Sequence, residues 1–143
     1  MESSGRSGAL PPPAESEGRP AAVPSVSPAE RQSVPLPQEG KAAGTLLASA
    51  RQHMQAGRAS QAEMALERAL RLEPRNARLW HEMAQVKFAQ RNFAQTVQFC
   101  LKSNSLAGRD QDLRRRNWQL LEQAYEELGE ADKAREARDK AAG

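Results

Sequence analysis

The sequence is poor in the residues from which metal and covalent sites are usually built. It has one cysteine and two histidines among 143 residues. A single cysteine, Cys100, excludes both a disulfide framework and a cysteine-based zinc site. His53 and His81 have no acidic or cysteine partner at the spacing of metal ligands. We therefore expect no metal and no other cofactor, and we expect Cys100 to be a buried, inert thiol.

Longer functional patterns are missing as well. No apolar run reaches the roughly 18 residues of a membrane-spanning helix, and the residues after Met1 do not form a signal peptide. The sequence contains no glycine-rich phosphate loop. It also contains no recognisable serine, histidine and aspartate constellation with an oxyanion hole. These absences predict that the protein is not an enzyme.

Proline is almost absent after residue 40, where only Pro74 remains, although the chain has nine prolines in all. Residues 1–40 also lack aromatic side chains and are rich in serine, glycine, glutamate and alanine. Such a segment cannot bury enough apolar surface to offset the entropy lost on ordering. The composition therefore predicts a disordered Pro-rich linker over residues 1–40 and a folded domain over residues 41–143.

Charge is divided unevenly between these two segments. Residues 1–40 carry a net charge of −2 and the whole chain +3, so residues 41–143 carry +5. Arg114, Arg115 and Arg116 are consecutive, but on a helix they point in different directions, which indicates a solvated face rather than a phosphate-binding patch. A mildly basic domain favours an acidic protein partner, and no nucleic acid is expected.

Apolar and small residues recur along the folded part with a period of 34 residues. Leu46, Ala50, Gly57, Ala62, Leu66, Ala69 and Pro74 mark the first copy, Trp80, Met83 and Ala84 the second, and Trp118, Leu121, Tyr125, Gly129 and Ala134 the third. Trp118 follows Trp80 by 38 residues, so about one helical turn is inserted, and we place it at the start of the fifth helix. A repeat of this length predicts an all-α solenoid of helix-turn-helix units.

Each repeat is expected to contribute two helices. Gly57 and the Arg91-Asn92 pair are predicted turns, Pro74 and Gly108 end the second helix of their repeats, and Asn76 and Asp110 are predicted N-caps. The predicted repeats are about 43–76, 77–108 and 110–142. Their helices are expected at about Ala42–Ala56, through Ala62 to Leu72, and at Ala77–Gln90, Phe93–Leu106, Asp110–Leu128 and Glu130–Ala142.

This pattern resembles the tetratricopeptide repeat (TPR), and the resemblance covers about 100 of the 143 residues. It implies a protein-protein interaction module without catalytic activity. At the family's core positions, Trp80, Trp118 and Tyr125 are interpreted as packing between helices rather than as a platform for stacking bases.

A narrower resemblance rests on two segments, 70–80 and 102–108. They are similar to a group of proteobacterial outer-membrane lipoproteins that join a Pro-rich linker to a short TPR domain. That group includes a pseudomonad activator of a bifunctional class A penicillin-binding protein. The resemblance implies a periplasmic, outer-membrane-tethered domain that stimulates this peptidoglycan synthase. The first residues hold no lipid-bearing cysteine, so we expect this location for a longer form with an upstream anchor. A cytoplasmic TPR adaptor or scaffold is the alternative if the chain is complete.

In the TPR family the first helix of each repeat lines a concave groove that binds partners. Carried onto this sequence, the groove positions are Leu47, Arg51 and Met54, then Arg78, His81, Gln85 and Phe88, and finally Arg116, Gln119, Gln123 and Glu127. Arginines beside amides and apolar side chains suit a protein segment that has carboxylates and an apolar anchor. Leu47, Arg51 and Gln85 stand where chaperone-binding members have lysine and asparagine, so a chaperone tail is not the expected ligand.

Overall fold

A computed structural model describes residues 35–143, which form helices and no strand. The all-α class predicted from the repeats is confirmed. The six helices are α1 (Pro35–Gln55), α2 (Ala59–Leu72), α3 (Ala77–Ala89), α4 (Phe93–Leu106), α5 (Gln111–Glu127) and α6 (Ala131–Ala142). The chain divides into two units, Met1–Gln38 and Glu39–Gly143. Residues 1–34, most of the predicted linker, lie outside the described residues.

The first helix begins earlier than its apolar pattern indicates. It starts at Pro35, whereas the spacing of Leu46, Ala50 and Met54 predicts a start near Ala42. Pro35 and Pro37 are compatible with this start because the first N–H groups of a helix have no partner within it. The two prolines therefore remove no hydrogen bond that the helix would otherwise form.

The same turn joins the two helices of each repeat. A residue with positive φ follows the first helix in every case: Gly57 (76°), Arg91 (62°) and Gly129 (77°). The next N–H then donates to the carbonyl five residues earlier, from Arg58 to His53 at 2.7 Å, from Asn92 to Lys87 at 2.8 Å and from Glu130 to Tyr125 at 2.9 Å. This is the Schellman arrangement, which satisfies carbonyls that the helix end leaves unpaired.

Polar side chains start three of the helices. The Asn76 side chain accepts hydrogen bonds from the N–H groups of Arg78 and Leu79 at the start of α3. The Asp110 side chain accepts one from Leu113 at the start of α5. Both predicted N-caps are therefore confirmed, and Asn92 caps α4 in the same way. Each such cap typically contributes about 1 kcal/mol.

Two groups of buried side chains hold the helices together. The first joins α1, α2 and α3 through Ala43, Ala50, Ala62, Ala65, Leu66, Ala69, Leu79, Met83 and Val86. The second joins α3, α4, α5 and α6 through Ala84, Cys100, Leu120, Leu121 and Ala137. Alanines at the contacts allow close approach of the helix axes, and each buried leucine contributes roughly 1.5–3 kcal/mol. The second group spans two repeats, so repeats two and three share a core.

The aromatic residues lie at the edges of this core rather than inside it. Trp80, Trp118 and Tyr125 are half-buried, so their expected position between the helices is only partly right. Leu79, one residue before Trp80, is buried instead. On α4, Leu101 is exposed although its apolar character predicts packing, because it lies about 100° around the helix from buried Cys100.

Cys100 is fully buried, as expected from its place in the repeat. Burial raises the pKa of its thiol to about 12. The thiolate, which is the nucleophilic form, is therefore scarcely populated near neutral pH. Over residues 35–143, no helix combines the length and the apolar character that crossing a bilayer requires.

Candidate functional site

The first helices of the three repeats, α1, α3 and α5, are joined through polar side chains. The Arg51 guanidinium of α1 donates to Glu82 Oε2 of α3 from Nη2 at 2.9 Å and from Nε at 3.3 Å. His81 Nδ1 of α3 lies 2.7 Å from Asn117 Oδ1 of α5. These contacts bring α1 next to α3 and α3 next to α5. We propose that the exposed members of the predicted groove residues form one surface together with the Arg51–Glu82 pair, and we call this surface the groove face.

A buried polar network lies beneath this face, where α3, α4 and α5 meet. Asn117 Nδ2 donates to Ser103 Oγ at 2.8 Å and to Asn104 Oδ1 at 2.9 Å. Ser103 Oγ in turn donates to the Ala77 carbonyl at 2.8 Å. Because the Asn117 amide donates to these two partners, its oxygen accepts from His81. The network therefore fixes His81 as the tautomer protonated at Nδ1.

The environment of His81 favours the neutral imidazole. The side chain is buried, and this burial is the main cause of its lowered pKa. The positive charges of Arg116 and Arg51 lower the pKa further, whereas the Asn117 hydrogen bond and the Glu82 carboxylate act in the opposite direction. His81 Nε2 has no hydrogen-bond partner among the described residues. A neutral ring leaves only an unpaired acceptor there, rather than a buried charge.

The predicted groove residues divide into packed and exposed groups. His81 is buried and therefore does not lie on the accessible surface. Leu47 and Met54 are half-buried and pack against the first core group. Phe88 packs against the second core group and meets the Phe93 ring edge-on, with centroids 5.2 Å apart. The exposed members are Arg51, Arg78, Gln85, Arg116, Gln119, Gln123 and Glu127.

Several exposed groove residues form ion pairs that link neighbouring elements. Arg78 lies 3.7 Å from Asp110, the N-cap of α5, and Glu127 lies 3.9 Å from Arg91 in the turn after α3. Exposed pairs of this kind contribute about 0–1 kcal/mol, so a competing carboxylate could readily displace them. Arg116 forms no ion pair with another described residue. It is therefore the arginine of the groove face most open to an acidic ligand.

Glu82 belongs to the groove face although the repeat pattern does not select it. Its side chain is 11% exposed, and Arg51 is 47% exposed, so the pair lies at the floor of the surface. Arg51 reduces the negative charge that Glu82 would otherwise present to a ligand. The acidic residue could have been suspected only from its place next to His81, because its partner lies 31 residues earlier in the chain.

No cluster of three or more histidine, cysteine or carboxylate side chains within residues 35–143 could hold a metal ion. In the buried network, Ser103 Oγ donates to the Ala77 carbonyl, and His81 Nδ1 contacts Asn117 rather than Ser103. The network has a structural role, because it fixes α3 against α5 beneath the groove face.

Comparison with known proteins identifies a family and similar solved structures. Residues 43–86 match the tetratricopeptide-repeat family. The chain is similar to the globular C-terminal domain of LpoP from P. aeruginosa, with 33% sequence identity and a TM-score of 0.69 over 71% of this chain and 96% of that one. It is also similar to the N-terminal domain of stress-induced protein-1 (STI-1) from C. elegans, with 20% identity and a TM-score of 0.66 over 72% of this chain and 84% of that one. The second likeness concerns the fold alone, and no protein with a curated description matches the chain.

Proposed function

Because this chain belongs to the tetratricopeptide-repeat family, we propose that it binds a bifunctional class A peptidoglycan synthase and activates it. TPR domains are protein-protein interaction modules, and residues 43–86 match this family. The proposed location is the periplasm, with an outer-membrane anchor supplied by a segment upstream of the Pro-rich linker.

One observation carries the proposal: the chain matches nearly the whole LpoP C-terminal domain at 33% identity. This identity exceeds that of the STI-1 domain, 20%, although the two TM-scores are close. The additional identity therefore reflects sequence likeness beyond the shared helix packing. It supports the relation to lipoprotein activators that segments 70–80 and 102–108 indicate.

The groove face supplies a chemical basis for binding. Arg116, Arg78 and Arg51 are exposed on α5, α3 and α1, and Gln85, Gln119 and Gln123 are exposed on α3 and α5. Guanidinium groups bind carboxylates through two parallel hydrogen bonds, and amides can bind the backbone of an extended segment. We propose that an acidic segment of the synthase lies along this face.

Activation requires more than binding. A partner raises activity only if it binds the active conformer more tightly than the idle one. A preference of about 1.4 kcal/mol would shift the equilibrium tenfold, which is within the usual range of coupling energies. Rigid helices joined by the His81–Asn117 network would hold the arginines in place and so preserve such a preference.

The test measures glycan polymerisation by the purified synthase of the same organism as the full chain is added. We expect the rate to rise and saturate. The Arg116→Glu variant should require about tenfold more protein for the same effect, because one charge-assisted contact becomes repulsive. Arg135→Glu is the matched control, since Arg135 is also exposed but lies on α6. An unchanged rate at saturating wild-type protein would exclude activation, and equal effects of both variants would exclude the groove face.

A further inference from the structure

A second surface lies where α2, α3 and α4 meet, away from the groove face. It is an open cavity of about 570 Å³ lined by Glu67, Leu70, Arg71, Trp80, Met83 and Phe99. We call it the Trp80 notch. Trp80 projects from α3 about 200° around the helix axis from Glu82, which lies on the groove face. The two surfaces therefore use different sides of the same helix.

Trp80 offers an apolar surface here because its polar group is already satisfied. The indole Nε1–H donates to the Pro74 carbonyl at 2.9 Å, which fixes the ring against the turn after α2. Its other neighbour is the Phe99 ring of α4, tilted by 49° with centroids 5.5 Å apart. Leu70 and Met83 complete the apolar lining. Half-buried aromatic rings with no unmet hydrogen bond are well suited to holding an apolar side chain.

The charges around the notch are mainly positive. Arg71 lines it, and Lys102 Nζ lies 5.9 Å from the centroid of the Trp80 ring. Glu67 is the only acidic residue in the lining, and Arg71 forms no ion pair with another described residue. The rim therefore favours carboxylates, while the floor favours an apolar anchor.

We propose that the Trp80 notch binds an acidic protein segment that carries a leucine or phenylalanine anchor. The anchor contacts Trp80 and Phe99, and glutamate or aspartate residues on either side pair with Arg71 and Lys102. The volume falls within the range of sites that bind small ligands and peptide side chains. This site is separate from the groove face and does not require that the partner be a peptidoglycan synthase.

Tryptophan fluorescence tests the site directly, because the chain has only Trp80 and Trp118. In the full chain with Trp118→Phe, Trp80 is the sole tryptophan. The probe is a synthetic peptide with the sequence Glu-Glu-Leu-Phe-Glu-Glu, blocked at both ends. We expect a saturable change in Trp80 emission with half-saturation below about 1 mM, equivalent to a few kcal/mol of binding free energy. A response that does not saturate by that concentration overturns the proposal.

Two altered peptides and three protein variants define what the response requires. Replacing the Leu-Phe pair by alanines, or the glutamates by lysines, should weaken binding at least about tenfold. Arg71→Glu should have a similar effect, whereas Arg135→Glu on α6 should have none. Circular dichroism checks that the variants remain helical. Equal binding of the lysine peptide overturns the proposal, as does a loss caused by Arg116→Glu rather than Arg71→Glu, since the peptide would then occupy the groove face.

Discussion

His81 is the only buried histidine of the described residues, and three charged groups from different helices act on it. Arg51 of α1 and Arg116 of α5 oppose its protonation, and Glu82 of α3 favours it. Burial is the largest cause and lowers the pKa of the imidazole. Protonation in the folded state would also make Nε2 a second donor, and no described residue accepts from it.

This lowered pKa predicts that the free energy of unfolding falls in mild acid. The unfolded chain binds a proton at His81 near pH 6.5, whereas the folded chain does so only at lower pH. The contribution of His81 to the free energy of unfolding is therefore fully present above pH 6.5, and it is lost as the pH falls from there toward the folded-state pKa. Urea unfolding between pH 8 and pH 5 should show this slope in the wild type. His81→Gln should reduce the slope and His53→Gln should retain it, and an identical slope in His81→Gln would refute the assignment.

For single residues, the sequence predicts which helix positions are exposed better than it predicts what a buried side chain contacts. The repeat pattern identifies Arg78, Arg116 and Gln119 as exposed residues of α3 and α5. It also places His81 on that surface, although the side chain is buried against Asn117. The error arises because Asn117 of the next repeat, which bonds Ser103 and Asn104, covers the ring, and the groove positions of the family carry no information about such a partner. The polar Ser103, in the slot that Ala69 fills in repeat one, was the available signal of a buried network.

At the scale of helices and turns, the three hairpins share one backbone geometry but not one residue type. Gly57 and Gly129 adopt positive φ without strain, whereas Arg91 adopts it at a cost of about 1–2 kcal/mol. The Arg91 guanidinium lies 5.3 Å from the centroid of the Phe93 ring, and the Asn92 side chain caps α4. These contacts offset part of the strain. The turn was predictable from the register of the repeat, but the conformation of Arg91 was not.

Glycine at these turns should be needed for the positive φ of the backbone and not for lack of space around a side chain. A Cβ atom built on Gly129 meets nothing within 4 Å, so Gly129→Ala creates no clash. We nevertheless expect it to destabilise the protein by about 1 kcal/mol, because alanine disfavours positive φ. Gly129→Asn should cost less, since asparagine tolerates this conformation. Urea denaturation measures both values. The matched control is Arg91→Ala, where the residue replaced already has a Cβ atom and only side-chain contacts are lost, and a neutral Gly129→Ala would contradict the expectation.

For the whole domain, the spacing between repeats predicts the fold because the length of each helix depends on that spacing. The helix α5 has 17 residues and α3 has 13, so the inserted turn lies within α5. If α5 is aligned with α3 at a spacing of 38, the extra residues fall at its start, as predicted. How strongly neighbouring repeats are coupled could not be predicted in the same way. The coupling depends on the second core group and on the His81–Asn117 network, which join residues far apart in the sequence.

The terminal helix α6 tests this coupling, because it presents charged residues outward and two buried alanines inward. Ala137 is 1% exposed against Leu120 and Leu121, whereas Ala131 at the start of α6 is exposed. Ala137→Asp should destabilise the domain by about 3 kcal/mol or more, since it buries an unpaired carboxylate. Ala131→Asp adds the same group at an exposed N-terminal position and should be neutral or slightly stabilising.

The location of a destabilising substitution also determines how unfolding proceeds. Stability in a repeat protein is approximately the sum of the repeats and the interfaces between them. Because repeats two and three share a core group, wild-type unfolding should give the same urea midpoint from Trp80 and from Trp118, each measured with the other tryptophan replaced by phenylalanine. In Ala137→Asp the two midpoints should fall together. If only the Trp118 midpoint falls, repeat three unfolds alone, and the shared core does not couple it to the helices that carry the groove face.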